Sequence, residues 1–226
     1  MAEIVILTGA GISAESGLGT FRDEGGLWAQ HRIEDVATPE GFARDPKLVM
    51  DFYNARRAQS REAKPNAAHE ALGRLQAARD VLIVTQNVDD LHEKGGAQRV
   101  LHMHGSLESA LCASCNHRWP APLVMPVGQI CPACSAPLGR PDIVWFGEIP
   151  HGMNTIEDAL RSAKTFVSIG TSGNVYPAAG FVQMARAFGA HTIELNLEPT
   201  QGSLFAERRT GPATEIVPRW VDEVLG

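Results

Sequence analysis

The chain has 226 residues, enough for one large domain with a small satellite, and its 44% hydrophobic and 20% charged residues are ordinary for a water-soluble globular protein. A formal net charge of -6 excludes a surface built for nucleic-acid phosphates, which needs a basic patch, and no apolar run reaches the ~18 residues a membrane helix requires. Met1-Ala2-Glu3 leads almost at once into an apolar strand, without a basic leader or small-residue cleavage site, so a cytoplasmic location is expected.

Ile4-Val5-Ile6-Leu7-Thr8 is apolar without alternation, which predicts a strand buried on both faces of a parallel sheet. Similar runs recur at 81–85, 166–170 and 192–197, each ending in small or polar residues where a ligand could sit. Gly9-Ala10-Gly11-Ile12-Ser13-Ala14 follows the first strand in the form G-x-G-x-x-A, whose glycines let backbone N–H groups approach a pyrophosphate. The same turn also serves strand-to-helix junctions that hold no ligand. A dehydrogenase would place a second strand ending in an acidic residue about 20 residues on. Here Gly19 to Trp28 reads as a loop, so a nucleotide site of another kind is expected.

Residues 21–64 carry helices but no strand. Asp45 caps one helix, with Pro46 at its first position and Val49, Phe52 and Tyr53 facing inward. Asn66 caps the next, whose apolar face is Ala68, Leu72 and Leu75. The strand at 81–85 closes on a dense polar cluster, Gln86-Asn87-Val88-Asp89-Asp90-Leu91-His92. Val100 to Gly105 puts His102 and His104 two apart on a presumed strand, where they would share a face. Either is suited to proton transfer near neutral pH, and the spacing does not choose between them. A further helix is expected from Pro177 through Phe188, ending at Gly189.

Cys112-x2-Cys115 and Cys131-x2-Cys134, with fifteen residues between the pairs, fit the spacing of a zinc site. Four thiolates fill zinc's tetrahedron and leave no open position, so the site is expected to be structural. His117, between the pairs, reads as a solvated loop residue rather than a fifth ligand.

These elements predict an α/β fold: a Rossmann-like doubly wound parallel sheet with a smaller zinc-binding and helical domain made from two insertions. The sheet domain takes residues 1–20, 65–105 and 141–226; the insertions are a helical segment with a cofactor loop, 21–64, and a zinc module, 106–140.

The stretch Gly9 to Gly17, Thr20-Phe21-Arg22 and Gly26-Leu27-Trp28 resembles the sirtuin signature. So do Gln86-Asn87-Val88-Asp89, His102-Met103-His104-Gly105, the cysteine pairs, Trp145-Phe146-Gly147-Glu148, Gly170-Thr171-Ser172 and Asn196-Leu197-Glu198. The motifs span nearly the whole chain in the family's order and are most similar to short bacterial sirtuins of the CobB type. The resemblance implies an NAD-dependent protein-lysine deacylase acting on acylated lysines of other proteins, with NAD as co-substrate and one structural zinc ion. It implies that Gly9, Ala10, Glu15, Thr20, Phe21, Arg22 and Trp28 line the pyrophosphate and nicotinamide-ribose side. Gln86, Asn87, Val88 and Asp89 would hold nicotinamide and its ribose. Gly170, Thr171, Ser172, Asn196, Leu197, Glu198 and Ala213 would hold the adenosine half. Val144, Trp145, Phe146 and Gly147 would pair with the substrate backbone in strand fashion. His104 would be the general base on the ribose hydroxyls, with Asn87 and Asp89 as catalytic partners, and the products would be free lysine, nicotinamide and O-acyl-ADP-ribose. Phe52-Tyr53-Asn54-Ala55-Arg56 resembles the Tyr-x-x-Arg of desuccinylating members, which implies that Tyr53 and Arg56 receive an acidic acyl group. Val88 departs from the family's commoner Ile, and Gly19-Thr20 from its Pro-Asp. No membrane or nucleic-acid partner is expected, and the chain is expected to be a monomer.

Overall fold

The computed structural model describes residues 2–19, 31–200 and 204–226. A six-stranded sheet is built from β1 (Ile4–Thr8), β2 (Val81–Thr85), β3 (Val100–His102), β7 (Thr165–Ile169), β8 (His191–Asn196) and β9 (Glu207–Thr210). Its order is β3-β2-β1-β7-β8-β9 and every pairing is parallel. The apolar runs are continuous because both faces are covered. Ile4, Ile6, Ile83, Val167 and Leu195 pack against α4 (Ala67–Ala78) and α8 (Ala213–Leu225). Val5, Leu7, Val84 and Phe166 pack against α6 (Met153–Ser162) and α7 (Phe181–Ala187). The chain runs outward from β1 to β3 and then crosses to β7 on the other flank of β1. The strand order therefore reverses between β1 and β7, and their carboxyl ends open a crevice there.

Between the sheet strands the chain builds α1 (Ile33–Val36), α2 (Pro39–Arg44), α3 (Pro46–Glu62) and a short α5 (Leu91–Lys94). It also builds an antiparallel sheet of β4 (Gly105–Cys112), β5 (Arg118–Pro120) and β6 (Gly139–Ile143), in the order β5-β4-β6. Val36, Val49, Phe52 and Tyr53 pack against Leu107, Ile143 and Trp145, so the helical segment rests on this small sheet. The Asp45 and Asn66 caps form as expected: their side chains accept from Leu48 N and from Ala68 N and His69 N.

Two local expectations change. β3 ends at His102, and Met103 and His104 form a turn into β4, so the two histidines do not share a strand face. Gly105 permits this turn: at φ +85°, with the Asp142 carbonyl 2.0 Å from where a Cβ would stand, no other residue fits the junction between the turn and β4. The helix expected from Pro177 begins as a 3-10 turn, Ala178–Gly180, and is α-helical only from Phe181. No described helix is long and apolar enough to cross a membrane.

Candidate active site and zinc centre

The crevice at the strand reversal gathers the polar residues that close β1 and β2. Thr8 Oγ1 donates to Thr85 Oγ1 (2.8 Å) and faces His92 Nε2 (2.9 Å). Thr85 Oγ1 also accepts from the Asn87 backbone N–H (3.0 Å). The Asn87 amide then donates to the Gly9 carbonyl (3.2 Å) and to Ser13 Oγ (3.1 Å). Ser13 Oγ donates to Asp89 Oδ2 (3.3 Å), lies 3.4 Å from His69 Nε2, and is buried with both partners. Asn87 and Asp89 are thus held from below by a buried hydrogen-bonded network. Its members Thr8, Ser13 and His69 were not singled out from sequence, and His92 only as part of the polar cluster after β2. A buried histidine on the first turn of α4, three residues after its cap, was the available signal.

Burial shapes the ionisation here. Desolvation raises Asp89 above the usual carboxylate range, against hydrogen bonds from Leu91 N–H and Ser13 that favour the charged form. Desolvation also pushes His69 down to about 4 and His92 well below its ordinary value. Both imidazoles are therefore neutral at pH 7. The unfolded chain takes up the His69 proton near 6.5 and the folded chain only near 4, so the associated stability is full above pH 6.5 and is lost as pH falls toward 4. The loss from His69 is on the order of 3 kcal/mol. Urea midpoints followed by tryptophan fluorescence should fall across that window, and less steeply in His69→Asn. Asp89 works in the opposite direction, so the difference between variant and wild type isolates the histidine. Identical slopes in the two proteins would count against the assignment.

His102 and His104 differ in their hydrogen bonds. His102 Nδ1 meets the Asn87 carbonyl (3.1 Å) and its Nε2 meets Glu93 Oε1 (2.8 Å). Both partners are acceptors, so both ring nitrogens carry protons. Burial lowers its pKa, but the Glu93 hydrogen bond and charge more than offset this and raise it. His104 Nδ1 meets the Gln86 carbonyl (3.1 Å), which fixes the proton on that nitrogen. Its Nε2 has no partner among the described residues and retains its lone pair. Desolvation lowers its pKa, opposed by the Gln86 carbonyl and aided by the His151 charge.

The glycine-rich turn has a second duty. Gly9 N–H donates to Ile169 O and Gly11 N–H to Gly170 O (2.8 Å). A Cβ on Gly9 would stand 2.8 Å from Gly170 O, and one on Gly11 2.8 Å from Gly170 Cα. The glycines therefore close the β1 and β7 loops against each other, beyond any role toward a pyrophosphate. Ala10 lies on this turn, and the Ser16 hydroxyl just beyond it is buried with no partner among the described residues. Glu15 accepts from Thr214 N–H (3.1 Å) and Thr214 Oγ1 (2.7 Å), so it caps α8 next to Ala213. On the β7 and β8 side, Gly170 adopts φ +61°. The Thr171 hydroxyl accepts from Gly173 N–H, and Asn196 donates to the Thr171 carbonyl (2.8 Å). Ser172, Leu197 and Glu198 are exposed beside them, and Val88 is half-buried on the cluster of Phe52 and Trp145. The open crevice, with glycine approach, an unpartnered buried hydroxyl and a buried carboxylate, fits a dinucleotide. Thr20, Phe21, Arg22 and Trp28 lie outside the described residues.

On α3, Tyr53 is buried and Arg56 partly so, and each feels the other's charge. The Trp145 indole N–H donates to Tyr53 Oη (3.1 Å). Burial pushes the Tyr53 phenol up to about 12 and lowers Arg56. Val144 to Gly147 follow β6 but are not a strand. The N–H groups of Val144, Trp145 and Phe146 already donate to His104 O, Glu148 Oε2 and Ala37 O. The Gly147 N–H and the carbonyls of Val144 and Phe146 have no such partner among the described residues, so fewer groups are open than the motif implies.

Cys112, Cys115, Cys131 and Cys134 converge, with all four Sγ atoms within 4.8 Å of one another. Cys112 and Cys134 are 3.6 Å apart and Cys115 and Cys131 3.8 Å. A tetrahedron with bonds of about 2.3 Å has edges of about 3.8 Å, so the set fits zinc. Each knuckle closes through a left-handed residue, Asn116 (φ 58°) or Ser135 (φ 59°). His117 stays outside and stacks on Trp119.

The Sir2 family model matches residues 9–177. An NAD-dependent protein deacylase of Caulobacter vibrioides is 56% identical over 99% of this chain and 97% of its own length. One of Vibrio parahaemolyticus is 58% identical over 98% and 95%. A Sir2 homolog–NAD complex superimposes with a TM-score of 0.89 at 37% identity, covering 99% of this chain and 90% of that one. A Sir2 homologue variant bound to ADP-ribose gives 0.91 at 36%, covering 98% and 91%. With crevice, cysteine centre and whole-chain similarity in agreement, the chain belongs to the Sir2 family.

Proposed function

We propose that the protein is an NAD-dependent protein-lysine deacylase that removes acetyl groups and acidic acyl groups such as succinyl. The observation that carries the chemistry is the difference between its two histidines. A base needs a lone pair near neutral pH, and His104 Nε2 has one while His102 is held doubly protonated. NAD, when bound, supplies a ribose carbon from which nicotinamide can leave and the hydroxyls that receive the acyl group. Gly9, Ala10 and the Gly170-Thr171-Ser172 turn bind it, joined by Asn196, Leu197, Glu198 and Ala213 at the adenosine end. Asn87 and Asp89 orient its nicotinamide ribose, with Gln86 and Val88 beside them. His104 Nε2 takes a hydroxyl proton. Thr20, Phe21, Arg22 and Trp28 belong to the same cofactor loop on the strength of the motif. The helical segment 21–64 and the zinc module 106–140 together form the smaller domain, and acyl-lysine enters between it and the sheet.

The acidic-acyl reading rests on Tyr53 and Arg56, one helical turn apart on α3. A guanidinium and a phenol give a carboxylate charge-assisted hydrogen bonds worth about 1.5–3 kcal/mol each, or roughly ten- to a hundredfold in preference. Mass spectrometry on matched acetyl- and succinyl-lysine peptides, with and without NAD, tests both levels. NAD-dependent acyl loss with O-acyl-ADP-ribose formed is expected for both peptides. Arg56→Met should lower the succinyl-to-acetyl rate ratio by about ten- to a hundredfold. An equal fall in both rates would remove Arg56 from acyl selection. Absence of any acyl loss from folded, zinc-loaded protein would overturn the deacylase.

A further inference from the structure

We infer that Trp145 is a positioning residue for acidic acyl groups: its indole N–H occupies the Tyr53 oxygen and so commits the Tyr53 proton to the substrate. The inference rests on the acidic-acyl reading of Tyr53 and Arg56. An indole nitrogen can only donate. The 3.1 Å contact from Trp145 Nε1 therefore makes Tyr53 Oη an acceptor there, within a buried pair. Among the described residues no acceptor meets the phenol's own proton. A buried hydroxyl with an unplaced proton is costly, and a carboxylate arriving beside Arg56 satisfies it. With its oxygen already engaged, the phenol is held as a donor rather than free to turn its lone pairs toward the incoming anion.

The indole that sets this orientation is itself fixed. Trp145 is 3% exposed. The Arg140 guanidinium lies 4.0 Å from its ring centroid, and the Phe42 ring packs against it at 5.2 Å. Arg140 is in turn held by both oxygens of Glu148 (2.8 and 3.0 Å), and Glu148 Oε2 accepts the Trp145 backbone N–H (2.9 Å). Glu148, Arg140, Trp145 and Tyr53 thus form one chain from the peptide-facing segment to the acyl end. Acetyl lacks a carboxylate and has no use for the committed proton, so the effect is selective.

Trp145→Phe keeps an aromatic ring and removes the donor. The test measures kcat and KM on acetyl, butyryl and succinyl peptides, butyryl being the four-carbon chain without the carboxylate. In Trp145→Phe the ratio of succinyl to butyryl kcat/KM should fall about three- to tenfold, the worth of one neutral hydrogen bond. In a Tyr53→Phe background the same change should move that ratio by less than about twofold, since the group being oriented is gone. A fall shared equally by succinyl and butyryl would mean that Trp145 only packs the site and would overturn the inference. So would an equal effect in the Tyr53→Phe background. A wild-type protein that removes acetyl but never succinyl would overturn the acidic-acyl reading and this inference with it. Wild-type desuccinylation with an unchanged Trp145→Phe ratio would overturn the inference alone.

Discussion

Replacing His104 with alanine is expected to lower NAD-dependent deacylation by roughly 10²–10⁴-fold, the usual worth of a positioned general base. His102→Ala should not mimic it through loss of a base, because both His102 ring nitrogens donate, to the carbonyl and carboxylate that flank it, and neither has a free lone pair. The pH profile separates the two further. Burial lowers the His104 pKa, so its neutral form persists at neutral pH and the acidic limb of kcat/KM should fall below the ordinary histidine range. Nicotinamide release and acyl-product formation, followed together from pH 5 to 9, read this directly. A His104→Ala enzyme that keeps the wild-type rate and acidic limb would move the base elsewhere.

The second large effect is metal removal. The small antiparallel sheet has little core of its own, and the connection between β5 and β6 leaves Leu123, Val124, Val127, Ile130 and Leu138 exposed. Zinc binding of this type contributes about 10–16 kcal/mol toward folding, comparable to a typical domain's whole stability of about 5–15 kcal/mol. Chelation, or Cys131→Ser at a buried ligand, should therefore unfold residues 106–140. Because Leu107 and Ile143 pack under α1 and α3, and His104 immediately precedes β4, activity should be lost with the module. Metal content by mass spectrometry should show one zinc per chain, and limited proteolysis after chelation should cut within 106–140 first. Full protease resistance and activity after verified zinc loss would contradict this.

Much of this architecture was legible in the chain because its signals are local. Apolar runs of strand length, Asp45 and Asn66 caps and cysteine spacing each act over a few residues, and each appears where expected. The antiparallel sheet and β9 were not legible. Arg118–Pro120 and Glu207–Thr210 carry no apolar run, and each is a strand only through its pairing with the preceding strand, β4 or β8. The site divides in the same way. Asn87, Asp89 and His104 stand in motifs, but the network beneath them joins Ser13, His69 and Asp89 across 56 and 76 residues. The motif named His104 over His102, but the physical reason, which carbonyl and carboxylate face each ring, is supplied only by the folded chain.

β1 occupies the middle of the sheet. One side pairs with β2, beginning at Ile4 opposite Val81, and the other with β7, beginning at Ile4 opposite Thr165. During synthesis β1 emerges before either partner, and one of its edges stays open until β7 has followed it. Parallel pairings over such separations close slowly, and an open apolar edge is the state most exposed to mispairing between nascent chains. The position that places Gly9 at the crevice thus also makes the enzyme's birth its most vulnerable moment.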